Sequence, residues 1–322
     1  MQPSTDSLAP ITLAELRAAR ERIRGTILET PLVPLRAAGH EIWLKLENLQ
    51  PINAFKIRGA ANAVFSLDDE QRARGVWTIS AGNAGQGVAF AARAAGVPCT
   101  VVTIDTAPDT KVRRMRDLGA RLVKAPFDAC WEAMEKRRFP GVEGTFVHPF
   151  DDRNFIAGNA SVAMEIFEQL PAVKTVVAAV GGGGLLAGIG TAARALRPDV
   201  RVYGAEPETA APLALSLERG SPQKFERWQA TFVDGAGGKS LFPRMWERLL
   251  PLVDGSIVVT LDEVRAAMRT AAEQVRIICE GAGALPVAAA LAGRAGDEPV
   301  VAVVSGGNID LATFCQQIAT VG

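Results

Sequence analysis

Short apolar runs alternate with longer amphipathic segments along most of this 322-residue chain. Residues 99–104 and 175–180 are apolar runs of strand length, and each is followed by a segment with helical periodicity. Residues 300–304 form the last such run. Strands that alternate with helices are typical of a mostly parallel, twisted sheet covered on both faces, so the pattern predicts an α/β fold.

Composition excludes several classes of protein. The chain has 35 basic and 35 acidic residues, and this zero net charge lacks the basic surplus of a nucleic-acid binder. No apolar run reaches the roughly 18 residues of a membrane span, so we expect no membrane partner. The four cysteines form no CxxC pair and residues 1–9 lack a signal-peptide pattern, which predicts a cytoplasmic protein with reduced thiols. With only two histidines, a histidine-rich metal site or a catalytic triad is not expected.

Four consecutive glycines, residues 181–184, separate a predicted strand from a helix that follows at Leu185. Backbone N–H groups at the start of a helix favour an anion, and glycine lets a phosphate approach the backbone closely. The dinucleotide fingerprint is absent because Leu186 stands where its third glycine belongs, and no Lys-Ser/Thr pair completes a P-loop. The segment therefore predicts a phosphate on a small cofactor, with a tight turn that binds nothing as the alternative.

A second glycine-containing loop, SAGNAGQG at residues 80–87, also lies between a predicted strand and a predicted helix. The Ser80 hydroxyl, the Asn83 amide and exposed backbone donors could bind a carboxylate there. The alternative is a loop in which Ser80 or Asn83 only caps the helix.

Lys56 lies among apolar neighbours at a predicted loop-to-helix junction. A lysine is usually a solvated surface charge, whereas a desolvated lysine has a lowered pKa and can act as nucleophile or base. These residues alone leave both interpretations of Lys56 open.

Taken together, the motifs resemble the fold-type II pyridoxal-phosphate (PLP) enzymes, in particular the serine/threonine dehydratase and serine racemase family. The resemblance implies a large PLP-binding domain from residues 1–70 and 152–322, with a smaller inserted α/β domain, residues 71–151, that carries the Asn83 loop. The matching segments occur in family order and span nearly the whole chain: LKLENLQPINAFKIRGA (44–60), SAGNAGQG (80–87), GGGGLLAG (181–188), GAEP (204–207), EGAGA (280–284) and SGGN (305–308).

The resemblance also implies roles for individual residues. Lys56 is the implied catalytic residue, bonded to the cofactor aldehyde until an amino acid displaces it and then free to take the Cα proton. Phe55 is expected to pack on the pyridine ring, Asn83 to bind the 3′-oxygen, and Ser305 to face the ring nitrogen. The full cofactor-binding set is Phe55, Lys56, Asn83, Gly181, Gly182, Gly183, Gly184, Leu185, Gly235, Glu280 and Ser305, and the substrate carboxylate set is Ser80, Ala81, Gly82, Asn83 and Ala84.

The activity implied is that of a PLP-dependent dehydratase, or ammonia-lyase, which converts an L-3-hydroxy amino acid to a 2-keto acid and ammonia by α,β-elimination. An amino-acid racemase is the first alternative, but racemases of this group carry a serine where Ala81 stands. β-Replacement enzymes of the same fold typically have Thr-Ser in place of Ser80-Ala81. A non-catalytic amino-acid-binding module is the remaining alternative, and the presence of Lys56 argues against it.

Two departures from the family pattern concern the size of the substrate. Ala54 replaces the usual serine before Phe-Lys, and Ala84 replaces the usual histidine after the asparagine. Residues 234–240 are also rich in small residues. These changes predict room for a bulky β-substituent, as in 3-phenylserine; a threonine or serine dehydratase is the alternative.

A third departure concerns metal ions and partners. Relatives with a divalent-cation site use a Glu, a carbonyl four positions on and an Asp six positions on. Glu206 and Ala210 match, but residue 212 is proline, so we expect no metal unless Glu208 substitutes. Relatives commonly dimerise, which implies a homodimer, and Arg113, Arg114, Arg116 and Arg121 are interpreted as a solvated helix face.

Overall fold

The computed structural model describes residues 7–37, 39–107 and 109–319. Its strands are β1(Leu32–Ala37), β2(His40–Leu46), β3(Val76–Ile79), β4(Cys99–Ile104), β5(Arg121–Ala125), β6(Thr145–Phe146), β7(Thr175–Ala179), β8(Arg201–Pro207), β9(Gly255–Val259) and β10(Val300–Val304). Its helices are α1(Leu13–Ile23), α2(Lys56–Phe65), α3(Asp69–Arg74), α4(Asn83–Ala95), α5(Asp109–Asp117), α6(Phe127–Lys136), α7(Arg153–Asn159), α8(Ser161–Gln169), α9(Gly184–Leu196), α10(Pro212–Arg219), α11(Pro243–Leu249), α12(Leu261–Val275), α13(Gly281–Leu291) and α14(Leu311–Ala319).

The larger sheet has six strands in the order β1-β2-β10-β7-β8-β9. All neighbouring pairs are parallel except β1 with β2. Val176 belongs to a core cluster with Leu186 of α9, whereas the next residue, Val177, belongs to a cluster with Leu285 of α13. Because successive strand residues point to opposite faces, the sheet is buried on both sides, as its uninterrupted apolar runs predict.

The smaller sheet has four strands in the order β5-β4-β3-β6, and all its pairs are parallel. Its strands occupy residues 76–146, which lie in the chain between β2 and β7 of the larger sheet. An α/β unit inserted into the larger one requires this position in the chain. The prediction of a mixed α/β fold with mostly parallel sheets is confirmed, while the domain limits at residues 70/71 and 151/152 stay a prediction.

Local sequence signals explain most element boundaries. Helices α1 and α12 each begin with a capping box, formed by Thr12 with Glu15 and by Thr260 with Glu263. Strand β1 was not predicted from the pattern, because it contains Pro34, which is unusual in a strand. Its position at the edge of the sheet explains the exception, since an edge strand can leave one side of its backbone unpaired.

Three predicted site segments follow the carboxyl ends of parallel strands. Ser80 comes directly after β3, the glycine segment follows β7, and Ser305 comes directly after β10. In open α/β sheets, ligands bind outside the carboxyl ends of the strands, so the topology brings these segments to the expected edge.

Two further predictions concern the whole chain. Across the described ranges, no helix combines the length and the apolar character needed to cross a bilayer. All four cysteines carry free thiols in this structure, in agreement with the absence of a CxxC pair.

Candidate active site

Lys56 is the first residue of α2 and has an unusual environment for a lysine. Its Nζ donates a hydrogen bond to the carbonyl of Pro149 at 2.7 Å and lies 5.2 Å from the ring centroid of Phe55 and 5.4 Å from that of Phe155. No carboxylate among the described residues forms an ion pair with it. Burial lowers the pKa of Lys56 to about 8. A substantial fraction of the amine is therefore neutral near physiological pH and can act as nucleophile or base.

A buried ion network holds α2 from behind, and we define it as Lys45, Glu47, Arg58 and Glu165. Arg58, two residues after Lys56, donates to Glu47 at 2.7 and 2.8 Å and to Glu165 at 2.5 and 2.8 Å. Lys45 Nζ donates to Glu165 at 2.6 Å and to the carbonyl of Thr30 at 2.6 Å. Every charge in this network is paired, so the first turn of α2 is fixed to β2 and α8.

The glycine segment, residues 181–184, is required by packing. A Cβ on Gly182 would lie 2.3 Å from Cδ1 of Phe150, and one on Gly184 would lie 2.9 Å from its Cα. Gly183 has a φ of +87°, in the left-handed region that favours glycine. The glycines are therefore needed for a tight turn, whether or not the segment also binds an anion.

The same segment also presents unsatisfied donors. Helix α9 begins at Gly184, and its N-cap residue, Gly183, makes no side-chain capping hydrogen bond. The first N–H groups of a helix have no partner within the helix, so those of Gly184 and Leu185 can bind an anion. Packing and anion binding are thus compatible explanations of the four glycines.

The Asn83 loop does not cap its helix with a side chain. Helix α4 begins at Asn83, and its N-cap residue, Gly82, is not accompanied by a side-chain capping hydrogen bond. The Ser80 hydroxyl instead accepts the N–H of Gly82 at 3.1 Å. Asn83 donates from Nδ2 to Glu280 Oε1 at 2.8 Å. The interpretation of Ser80 or Asn83 as a helix cap is therefore wrong, and the start of α4 is free to receive a carboxylate.

Ser305 and Glu280 bring the last strand to the site. Ser305 is only 4 % exposed, and its carbonyl accepts the N–H of Phe55 at 3.0 Å. Its hydroxyl makes no hydrogen bond with the described residues. The N–H of Glu280 donates to the carbonyl of Gly306 at 3.0 Å, and a Cβ on Gly306 would lie 2.5 Å from Glu280 Oε1. The segment after β10 is thus fixed against both Phe55 and Glu280.

Gly235 completes the arrangement. A Cβ on Gly235 would lie 3.2 Å from Glu280 Oε1, and a Cβ on Gly181 would lie 3.1 Å from the carbonyl oxygen of Gly235. Pro149 and Phe150 join Lys56 to the glycine segment from a further loop. The structure therefore brings the predicted residues from separate segments of the chain into one chain of contacts.

Sequence reasoning missed three residues that contact this set, and a fourth that contacts one of those three. Pro149 and Phe150 lie in the loop between β6 and α7. The sequence did offer a signal for them, because a proline followed by an aromatic residue stands between the end of a strand and the start of a helix. Asn308 lies in the SGGN motif but received no role. Arg114 was interpreted as solvated; it is exposed, but it also donates a hydrogen bond to Asn308 Oδ1. Arg121 lies on strand β5 and not on a helix.

The two alanines that suggested extra room are buried. Ala54 is 0 % exposed, packs with Ile52 and Ile57, and pairs with Gly306. Ala84 is 5 % exposed. The volume that these alanines leave is therefore taken up by packing, whereas Ala81 and Gly82 remain half-buried.

Glu206, the residue that matches the family's cation site, has other partners here. Its two carboxylate oxygens accept the N–H groups of Leu213 and Ala214, each at 2.8 Å, and the hydroxyl of Ser256 at 2.7 Å. Burial raises the pKa of Glu206 to about 7, and these hydrogen bonds oppose the shift. No cluster of three or more His, Cys, Asp or Glu residues suited to a metal occurs in the part of the chain that the structure describes.

Known proteins are similar to this chain in both sequence and fold. A family model described as pyridoxal-phosphate dependent enzyme matches residues 23–306. L-threonine ammonia-lyase from Thermotoga maritima is 38 % identical over 308 residues, 94 % of this chain and 76 % of that protein. The catabolic L-threonine dehydratase of Staphylococcus aureus is 36 % identical over 312 residues, 94 % of this chain and 90 % of that protein. The crystal structure of Dictyostelium discoideum serine racemase has a TM-score of 0.84 at 34 % identity, covering 94 % of this chain and 99 % of that one.

The chain belongs to the pyridoxal-phosphate-dependent enzymes, in the serine/threonine dehydratase-like family of fold type II. It is a PLP-dependent ammonia-lyase. The resemblance drawn from the ordered motifs is confirmed at the level of family, fold and cofactor.

The donor set fits this cofactor. The start of α9 offers uncapped N–H groups for a phosphate. Lys56 has a lowered pKa and no ionic partner among the described residues, as a group that bonds to an aldehyde requires. The hydroxyl of Ser305, which has no partner among the described residues and belongs to a residue that is 4 % exposed, could provide a polar contact for a ring nitrogen.

Proposed function

We propose that this enzyme is a dehydratase that converts an L-3-hydroxy amino acid, of the threonine and serine type, to a 2-keto acid and ammonia. The observation that carries the proposal is the amine of Lys56, which has a pKa of about 8 and contacts a carbonyl and two aromatic rings but no carboxylate. The names of the curated relatives, threonine ammonia-lyase and threonine dehydratase, support the substrate class.

The cofactor would be held by residues from six segments. Lys56 would bind it covalently, Phe55 would pack against its ring, and the Ser305 hydroxyl would face the ring nitrogen. Asn83 Nδ2 has a second hydrogen, beyond the one donated to Glu280, for the 3′-oxygen. The backbone N–H groups of Gly181, Gly182, Gly183, Gly184 and Leu185 bind the phosphate, and Gly235 and Glu280 line the edge.

The remaining chemistry is assigned to this chain's own residues. When bound, the cofactor withdraws electrons from the substrate Cα. The start of α4, from Ser80 to Ala84, binds the substrate carboxylate with hydroxyl, amide and backbone donors. Lys56 Nζ takes the proton from Cα. Loss of that proton and of the β-hydroxide removes one water, and the released enamine takes up one water to give the 2-keto acid and ammonia.

The identity of residue 81 favours elimination over racemisation. Ala81 has no titratable group, so it cannot return a proton to Cα from the face opposite to Lys56, the face that the family resemblance assigns to this position. Ser80-Ala81 also differs from the Thr-Ser of β-replacement enzymes. Lys56, with its lowered pKa, speaks against a module that only binds amino acids.

A bulkier aryl-serine is the second candidate substrate, and one group of contacts favours it. Phe150, which touches Gly182, lies 5.3 Å from Phe242 between ring centroids, and Phe242 lies 4.9 Å from Trp131. This group provides aromatic surface next to the glycine segment, and residues 234–240 are rich in small residues. Because Ala54 and Ala84 are buried, they no longer support this candidate.

Substrate choice is tested by measuring 2-keto acid release from L-serine, L-threonine and L-threo-3-phenylserine. We expect the highest kcat/KM for threonine or serine, with parallel ammonia release and no D-isomer on chiral chromatography. A clear preference for 3-phenylserine would select the second candidate, and D-amino acid without keto acid would overturn the dehydratase. Lys56→Ala should abolish keto acid release and the visible absorbance of the cofactor, whereas Lys174→Ala, an exposed lysine, should change neither.

The homodimer and the cytoplasmic location stay predictions. Light scattering on the purified 34.0 kDa chain should give twice that mass if the enzyme dimerises. A single-chain mass at assay concentration would refute the dimer.

A further inference from the structure

A hydrogen-bonded relay reaches Asn83 from the surface. Arg114, on α5, donates through Nη1 to Asn308 Oδ1. Asn308, which is 7 % exposed, donates through Nδ2 to Asn83 Oδ1 at 2.8 Å and to the carbonyl of Ile52 at 2.8 Å. Asn83 donates in turn to Glu280. Arg114 and Asn83 both lie in the part of the chain that contains the smaller sheet, and Asn308, which links them, lies in the loop after β10.

The donor and acceptor types along this relay determine how each amide is oriented. A guanidinium can only donate, so the Asn308 atom that faces Arg114 has to be the oxygen. The nitrogen of Asn308 then faces Asn83, so the atom that receives it there has to be the oxygen of Asn83. Both hydrogens of Asn83 Nδ2 are left for Glu280 and the site. The acceptors at the two ends, Ile52 and Glu280, agree with the same orientation.

We propose that Arg114 is a positioning residue for the cofactor, acting through Asn308 on the amide of Asn83. The proposal rests on the proposed function, because it assumes that Asn83 binds the 3′-oxygen. Arg114 itself does not contact the cofactor-binding set. It stabilises the amide orientation that keeps a donor, and not an acceptor, turned toward that oxygen, and it ties α5 to the loop that carries Ser305.

Neighbouring arginines provide a matched comparison. Arg116 is exposed on the same helix, two residues away, and no described residue pairs with its side chain. Substitutions at 114 and 116 therefore remove the same charge from the same helix, and only the first removes a contact with Asn308.

The test uses PLP binding to the full-length apo-enzyme, measured by quenching of protein fluorescence, together with the visible spectrum of the reconstituted enzyme. We expect Arg114→Ala to raise the Kd roughly three- to tenfold, the size of one ordinary net hydrogen bond, because the lost contact acts on the cofactor only through Asn308 and Asn83. Arg116→Ala should leave the Kd unchanged, and Arg114→Lys should recover part of the loss because it keeps a cationic donor. The spectrum of bound PLP should change with pH differently in Arg114→Ala, which a purely structural role would not cause.

A double-mutant cycle tests the route of the effect. Because Arg114 acts through Asn308, adding Arg114→Ala to Asn308→Ala should cause no further loss of affinity. Independent, additive losses would overturn the proposal, as would equal Kd values for the 114 and 116 variants. Thermal unfolding of each apo variant identifies any that fails to fold, and Arg114→Lys then decides the matter. If PLP fails to attach to Lys56 of the unaltered enzyme, the proposed function fails. If PLP attaches but the substitutions at residue 114 leave its Kd unchanged, only the positioning role fails.

Discussion

Two buried lysines in this enzyme have opposite surroundings. Lys45 lies in the buried ion network, where its Nζ donates hydrogen bonds to Glu165 at 2.6 Å, to the carbonyl of Thr30 and to the side-chain amide oxygen of Gln169. Lys56 lies at the start of α2, with one carbonyl and two aromatic rings. Burial lowers the pKa of both, but the negative charge of Glu165 opposes the shift only at Lys45.

The difference separates stability from chemistry. A buried charge with a full set of partners is held in place and unreactive, and its removal leaves other charges unpaired. A buried amine without an anion is easily deprotonated and can attack an electrophile. The two sites are joined by α2, since Arg58 of the network lies two residues after Lys56.

The largest expected effect comes from removing the reactive amine. Lys56→Met should lower kcat/KM by roughly 10³-fold or more, because the nucleophile and the base are lost together. Its free energy of unfolding should stay the same or rise, since an unpaired buried amine has been replaced by an apolar side chain. Steady-state kinetics and urea denaturation of the apo-enzyme measure the two quantities. A strongly destabilised variant with residual activity would contradict the comparison.

The same substitution at the other lysine should give the reverse result. Lys45→Met leaves the network with excess negative charge and should cost about 3 kcal/mol of unfolding free energy, at the low end for a broken buried pair because Arg58 still pairs with Glu165. Activity per folded molecule should stay near that of the unaltered enzyme. A loss of kcat in the folded protein, without a change in stability, would show that the network tunes catalysis directly.

The pKa of Lys56 predicts a pH dependence for cofactor attachment to the apo-enzyme. Only the neutral amine attacks the aldehyde, and burial moves the pKa down from 10.5 to about 8. The rate of covalent attachment should therefore rise about tenfold per pH unit below pH 8 and level off above it. Stopped-flow absorbance follows the reaction. A rate that keeps rising to pH 10 would mean that Lys56 titrates like an exposed lysine.

The smallest effect is expected at the position of the family's cation site. Both oxygens of Glu206 are already hydrogen bonded, and Pro212 supplies no carboxylate. Dialysis against EDTA, followed by addition of Mg²⁺, should leave kcat/KM unchanged. A loss that Mg²⁺ restores would show that a cation displaces the N–H groups of Leu213 and Ala214.

The sequence predicted the parts of this enzyme that depend on local patterns. Strands β4 and β10 have the predicted limits, because apolar runs are local signals. The motif order also pointed to Lys56, Asn83 and Ser305. Their roles stay predictions, and the structure joins each of them to another segment of the candidate site by a hydrogen bond.

Contacts between segments that are distant in the chain could not be predicted from the sequence. Nothing in residues 54 and 84 reveals that both alanines are packed, because burial depends on what the rest of the chain places against them. Likewise, Arg114 reads as a surface charge until the loop after β10 is folded against α5. The hydrogen bonds of Glu206 arise for the same reason, since they depend on where α10 begins.

Phe150 limits how the glycine segment, residues 181–184, can change. Its ring already fills the space that a side chain at Gly182 would need, and its backbone blocks Gly184. A single mutation at either glycine therefore causes a collision, and only Gly182 can be relieved by a smaller residue at 150. Any lineage that acquires a side chain at Gly182 must change two separate segments together, which makes this corner of the enzyme slow to evolve.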